Sequence, residues 1–329
     1  MNSQSIVNAL SEFSSKTILV VGDLMLDAYI WGDALRISPE APVPVVNVES
    51  RELMPGGAAN VARNLRGLGA SVLVSGLVGE DQEGNQLIDL LTESGIRPDL
   101  IHRSAHRPTS VKTRVIARGQ HVVRYDREVT DLIDDQIQRG LVRQISEHLS
   151  SVDGVILEDY NKGLFTENLI LQTIRLASEL GIPVYVDPKK LHFSAYQNVR
   201  LLKPNWTEFS NVIGAFSSED EFLTQGDSFR RRQHINTLMV TRGSEGMTLF
   251  NESGIRTIPT HAREVHDVSG AGDTVIATFA LSDIAGLSGI DAASVANLAA
   301  GIVCEEVGVV PITTEKLNQR LHELISDQN

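Results

Sequence analysis

The segment Asp267-Val268-Ser269-Gly270-Ala271-Gly272-Asp273 has the residue types needed to hold an anion and take a proton beside it. Small residues let a ligand approach the backbone closely. The apolar run Val275–Leu281 behind them predicts a helix from Ala271 to Ile284, whose N-terminal amides and positive dipole end face that ligand. A transferring phosphoryl group gathers charge on its equatorial oxygens, so Gly270, Ala271 and Gly272 are candidates for an anion hole. Asp273 stands at the helix start, where a carboxylate stays ionised, and is the candidate general base for an attacking hydroxyl. The plainer alternative is that Asp267 or Asp273 caps the helix. No Gly-x4-Gly-Lys-Ser/Thr string occurs, and Gly270-x-Gly272 has Val275 at the third position of the dinucleotide fingerprint. P-loop and nicotinamide enzymes are therefore disfavoured.

Four other segments carry chemistry. In Pro55-Gly56-Gly57-Ala58-Ala59-Asn60, the glycines offer amides ahead of a small-residue helix, and Asn60 adds a donor and an acceptor. That suits sugar hydroxyls, or tight helix packing alone. In Gly22-Asp23-Leu24-Met25-Leu26-Asp27, Asp27 is expected just past a parallel strand, where it would accept two sugar hydroxyls or serve as a turn residue. Asn205 and Glu208 lie three apart, spaced for one helical face near Mg²⁺ and nucleotide phosphates, or for a capping box. Asp187 and Lys189 place acid and base at another strand end.

The elements that must position these groups alternate. β-Branched runs occur at 17–21, 71–77, 154–157, 184–186 and 237–240, with helical stretches at 58–68, 86–94, 133–149 and 167–180. Helices at 271–284, 291–306 and 314–326 close the pattern. Nearly continuous apolar strands between helices predict parallel strands covered on both faces. Segments 29–48 and 110–125 break the alternation; the second flanks Arg118-Gly119-Gln120 as a hairpin, and the two are spaced to pair into a small lid sheet. No repeat or linker appears, so one domain over residues 1–329 is expected.

A net charge of −13 repels nucleic acid and anionic membranes, so any phosphate must be held by local groups. The single cysteine, Cys304, excludes an intrachain disulfide and a cysteine-rich zinc site, and its apolar surroundings predict a buried packing residue. Residues 1–16 lack a signal-peptide pattern, and no apolar run approaches about 18 residues, which predicts a cytoplasmic protein with no membrane partner.

Gly56-Gly57…Asn60, Asn205-x-x-Glu208 and Asp267-x-x-Gly270-Ala271-Gly272-Asp273, in that order, resemble the ribokinase/PfkB family of carbohydrate kinases over nearly the whole chain. The resemblance implies a three-layer α/β sandwich with a mostly parallel sheet and a β-sheet lid. It implies ATP and Mg²⁺, with Asp273 as base, the 270–272 amides as anion hole, and Asn205, Glu208, Thr241 and Gly243 at the nucleotide phosphates and metal. Glu208 is the implied protein link to Mg²⁺. Asp27, Gly56, Gly57, Asn60, Lys112, Arg114, Asp187 and Lys189 fall to the sugar substrate. A monovalent cation near the Asp267 loop and a homodimer through the lid follow by the same analogy.

Within the family, Gly22–Asp27, Arg36–Val46 and Pro55–Asn64 are similar to the branch that phosphorylates D-glycero-β-D-manno-heptose 7-phosphate to the 1,7-bisphosphate, toward ADP-heptose and the lipopolysaccharide core. Another sugar or sugar-phosphate acceptor is the alternative. Such kinases are often fused to a nucleotidyltransferase bearing His-x-Gly-His. That motif is absent, so a stand-alone kinase is expected. A sugar phosphate adds Arg63 and Arg124 to Lys112, Arg114 and Lys189 as candidate anion binders.

Overall fold

The structure is a computed structural model in which residues 3–260, 266–306 and 308–326 are described. Helix α1 (Ser3–Glu12) precedes strands β1 (Thr17–Gly22), β2 (Leu24–Ile37) and β3 (Pro44–Gly57). Then come α2 (Ala58–Gly67), β4 (Ser71–Gly79), α3 (Gln82–Glu93), β5 (Arg97–Ser104), β6 (Ser110–Ala117) and β7 (Gln120–Arg127). The middle of the chain forms α4 (Asp135–His148), β8 (Gly154–Glu158), α5 (Glu167–Glu179), β9 (Val184–Asp187) and β10 (Leu201–Leu202). Helices α6 (Trp206–Ile213) and α7 (Glu219–Arg232) lead to β11 (Thr237–Thr241), β12 (Met247–Asn251) and β13 (Gly254–Ile258). Helices α8 (Ala271–Ile284), α9 (Gly289–Cys304) and α10 (Thr314–Ser326) follow.

The main sheet runs β13-β12-β11-β10-β9-β8-β1-β4-β5, parallel from β11 to β5 with β12 and β13 antiparallel at one edge. In β1, Ile18 and Val20 pack into one apolar cluster with α2, α8 and α9, while Leu19 and Val21 pack into a second cluster with α4 and α5. Alternate side chains feeding two cores make the three-layer sandwich. Helix α8 is buried without a break from Asp273 to Ser282 and packs against α2, α9, β8 and β9. That is why it is apolar on all sides. Among the described residues no helix is long and apolar enough to cross a membrane.

The chain leaves β1 toward β4 on one side and later returns to fill the other side from β8 onward. Such a switch of direction opens a crevice at the carboxyl ends of the strands. Over it lies the second sheet, β3-β2-β6-β7. It is longer than the two segments read from sequence: β2 begins at Leu24, directly after β1, and β3 runs on to Gly57. Cys304 is buried at the end of α9.

Candidate active site

Four strand ends converge on this crevice. β1 ends at Gly22-Asp23, β8 at Glu158, β9 at Asp187, and Lys203 follows β10. Glycine is required at position 22, since a Cβ there would stand 2.4 Å from the Glu158 carbonyl oxygen. The first turn of α8 closes the site from above: a Cβ on Gly272 would lie 3.4 Å from Lys203 Nζ and 3.8 Å from Asp187 Oδ2. Gly270 caps α8 at φ 78°, a left-handed conformation glycine tolerates, and no side chain caps this helix.

Asp273 is buried, and each of its oxygens accepts one hydrogen bond, Oδ2 from Asn60 Nδ2 at 2.7 Å and Oδ1 from the Tyr160 hydroxyl at 2.8 Å. Burial pushes its carboxyl from 3.8 up to about 6 against the pull of those two donors. Desolvation thus raises the carboxyl toward neutrality yet leaves it mostly ionised near pH 7, in the range where a carboxylate can accept a proton. Asn60 is itself buried, and its Oδ1 has no partner, an acceptor free for a substrate hydroxyl.

Glu158 is wholly buried with neither oxygen hydrogen-bonded, and burial together with Asp187 and Asp273 raises its carboxyl well above the usual range. Lys203 pairs with Asp187 at 2.7 Å. Burial works against the Lys203 ammonium, but Asp187 and Glu158 outweigh it and hold the proton more firmly than usual. Oxygens of Glu158, Asp187 and Asp273 lie within 4.8 Å of one another. This all-oxygen set with two orphaned acceptors fits a hard divalent cation such as Mg²⁺.

Several sequence-assigned residues stand elsewhere or do other work. Asp27 is not at a parallel strand end, because the chain enters the lid at Leu24; Asp23 holds that place. Asp27 Oδ1 accepts from Arg114 Nη1 at 2.5 Å within the lid, where the two strands run in parallel register, and its other oxygen is the atom a Cβ on Gly56 would strike. Gly56 and Gly57 end β3, and the Ala58 amide that follows is taken by the Asp23 carbonyl at 3.1 Å. Lys112 and Lys189 do meet, their ammonium groups 4.7 and 5.0 Å from the Tyr160 ring centroid. Arg124, by contrast, pairs with Asp126 on exposed β7, and Arg63 on α2 keeps a buried Nη1 without a partner.

Asn205 and Glu208 form a complete capping box: Asn205 Oδ1 accepts from the Glu208 amide at 2.8 Å and Glu208 Oε2 from the Asn205 amide at 2.9 Å. The second Glu208 oxygen accepts from Lys189 Nζ. Both oxygens are engaged within the protein, and Glu208 is not one of the three clustered carboxylates, Glu158, Asp187 and Asp273. Thr241 donates its amide to the Pro204 carbonyl at 3.0 Å, which sets the end of β11 beside Asn205. Gly243 follows at φ 58° with open space where a Cβ would point. Asp267 ties two loops together, Oδ1 accepting from the Ser269 amide in its own turn at 2.8 Å and Oδ2 from the Gly308 amide after α9 at 3.3 Å.

Sequence reasoning passed over Glu158, Tyr160, Lys203 and Asp23 as site residues. The available signal was position: polar residues directly after apolar parallel strands fall at the carboxyl edge of the sheet. Lys203-Pro204 and Glu158-Asp159 both carry that mark.

The description "pfkB family carbohydrate kinase" matches residues 15–316. The bifunctional protein HldE of Coxiella burnetii is 42% identical over 322 residues, 97% of this chain; the chain spans 66% of that longer protein's length. The fold is shared with ribokinase of Arabidopsis thaliana, solved with ribose and ATP, at a TM-score of 0.73 and 19% identity over 93% of this chain and 98% of that one. It is shared also with phosphofructokinase-2 of Escherichia coli, solved with potassium, at a TM-score of 0.77 and 19% identity over 94% and 99% of the two chains. With family match, fold and site in agreement, the chain belongs to the pfkB family of carbohydrate kinases, phosphotransferases with an alcohol group as acceptor.

Proposed function

We propose that this chain transfers the γ-phosphoryl group of ATP to the anomeric hydroxyl of D-glycero-D-manno-heptose 7-phosphate, yielding the 1,7-bisphosphate. The observation that carries the kinase chemistry is Asp273, buried between Asn60 and Tyr160 at the start of an uncapped helix. Asp273 takes the proton of the attacking hydroxyl, and Asn60 Oδ1 accepts from a neighbouring hydroxyl to orient the sugar. The 270–272 turn and Lys203 face the charge that develops on the transferring group. Glu158, with two unpartnered oxygens, and Asp187 are the residues that would hold Mg²⁺, which offsets phosphate charge when bound, and Asp273 beside them is left to take the proton.

The choice of a heptose phosphate rests on the Arg36–Val46 string, which forms the lid hairpin's turn and flanks, and on the 42% identical relative. Lys112, beside Tyr160 under the lid, and Lys189 supply cation for a phosphorylated acceptor. A panel of sugars and sugar phosphates assayed for ADP release tests the reading. Heptose 7-phosphate should be the fastest acceptor, and preference for an unphosphorylated sugar overturns it.

The lid also supports a homodimer. Leu35, Ile37, Val43, Val48, Val123 and Tyr125 are exposed on it, between 51% and 64% of their surface. Light scattering at twice the monomer mass is expected. The Asp267 turn is the proposed seat of a monovalent cation, read as higher turnover in K⁺ than in a tetramethylammonium buffer.

A further inference from the structure

The connection Asp159–Leu164 between β8 and α5 is held more firmly than a surface loop requires. The Asp23 carboxylate accepts from the backbone amides of Tyr160, Lys162 and Leu164 at 2.8, 3.1 and 3.3 Å. Arg107 Nη2 donates to the carbonyls of Val129, Asp131 and Lys162 at 2.8, 2.6 and 2.7 Å. Asp159 accepts from the Asn161 amide and from the buried Tyr196 hydroxyl at 2.8 and 2.9 Å. What this scaffold delivers to the crevice is the Tyr160 hydroxyl on Asp273. Asp23 bears on the other donor too, since its carbonyl accepts from the Ala58 amide, the first residue of the helix carrying Asn60. A single residue at the end of β1 thus references both donors of the Asp273 carboxylate.

We propose that Tyr160 is a positioning residue for phosphoryl transfer: with Asn60 it fixes the plane of the Asp273 carboxylate, and Asp23 holds Tyr160 in place to do so. The inference rests on the reading of Asp273 as general base. A carboxylate offers about four lone-pair sites, so two fixed donors leave one on each oxygen at a set angle for the acceptor hydroxyl. With one donor the group turns about its terminal torsion, which is broad and soft, and fewer encounters are aligned. The ammonium groups of Lys112 and Lys189 over the ring keep the tyrosine itself from swinging.

Tyr160→Phe keeps the ring and its cations and removes the hydroxyl alone. Assayed with MgATP and heptose 7-phosphate, or the fastest acceptor of the panel, it should lower kcat about 10- to 100-fold, the span for one bond to a charged group. KM for both substrates should stay within about twofold, because a positioning residue acts on the reacting geometry and not on binding. In an Asp273→Asn background the same change should leave residual turnover unaltered, since the hydroxyl acts through that carboxylate. Asp23→Asn keeps the carbonyl bond to the Ala58 amide but turns one accepting oxygen into a donor, so it loosens the 160–164 amides and should lower kcat in the same direction, without adding to Tyr160→Phe. Wild-type kcat in Tyr160→Phe, or an equal loss in both backgrounds, overturns the proposal. Wild-type turnover in Asp273→Asn would overturn the general-base reading, and this inference with it, an outcome separate from silence of Tyr160→Phe alone.

Discussion

Two helices start at the same edge of the sheet, and each has an acid at its third residue, Glu208 in α6 and Asp273 in α8. In α6 the cap is Asn205, and the acid reaches back to its amide, so the first turn is satisfied by its own side chains. In α8 the cap is glycine, with no side chain to accept, and the acid turns away to partners 213 and 113 residues distant, Asn60 and Tyr160. The same local pattern is consumed inside one helix and released for long-range use in the other. The released turn keeps its positive dipole end for an arriving anion.

The comparison breaks most severely at Asp273. Asp273→Asn should keep the fold and cut kcat by about 10²–10⁴, the span for loss of a general base; steady-state turnover within a few-fold of wild type would remove the residue from that role. Gly270→Ala comes next. Its Cβ would sit 2.7 Å from Asn60 Nδ2, in a left-handed conformation. We expect a loss of about 1–2 kcal/mol in stability from the conformation and roughly tenfold in kcat from the displaced donor, read by denaturant titration and kinetics.

The third test concerns the buried acids around the first turn of α8. Asp273 and Asp23 hold protons up to about pH 6 in the folded chain but release them near 3.8 when unfolded, so their ionisation costs stability. In metal-free solution, stability should therefore fall as pH rises from about 4 to about 6, with Glu158 extending the loss upward because burial holds its proton longer still. Adding Mg²⁺ near neutral pH should raise Tm by binding the folded state alone. Glu158→Gln should raise the metal-free Tm and shrink that response; an undiminished Mg²⁺ shift would place the ion elsewhere. The smallest effect is expected at α6: Asn205→Ala should cost about 1 kcal/mol as a lost cap and lower kcat less than Gly270→Ala does. Equal losses at the two positions would erase the distinction between the helix starts.

Much of the scaffold was legible because its signal is local. The runs at β1, β4, β8, β9 and β11 are apolar and β-branched, and the structure has strands at each. Strand β10 is two residues long, and β12–β13 is an antiparallel edge hairpin outside the alternating pattern, so neither stood out. Helix α7 carries Glu219, Asp220, Glu221 and a closing Arg230-Arg231-Arg232, polar enough to hide its buried Phe222 and Phe229. In the site, glycine loops announced Asp273 and Asn60. Glu158, Tyr160 and Lys203 gave no comparable mark, because a lone polar residue after a strand is as consistent with a turn as with chemistry.

By itself the sequence determined the class of fold, the helix that bears Asp273 and the family resemblance, all of which depend on spacing along the chain. Only the tertiary structure decided which carboxylates act together. It moved Asp27 into an ion pair in the lid, engaged both oxygens of Glu208, and set Glu158, Asp187 and Asp273 within reach of a single cation. The physical reason is that desolvation and charge depend on neighbours in space. A carboxylate's role is set by what surrounds it after folding, and those groups come from strands far apart in the chain.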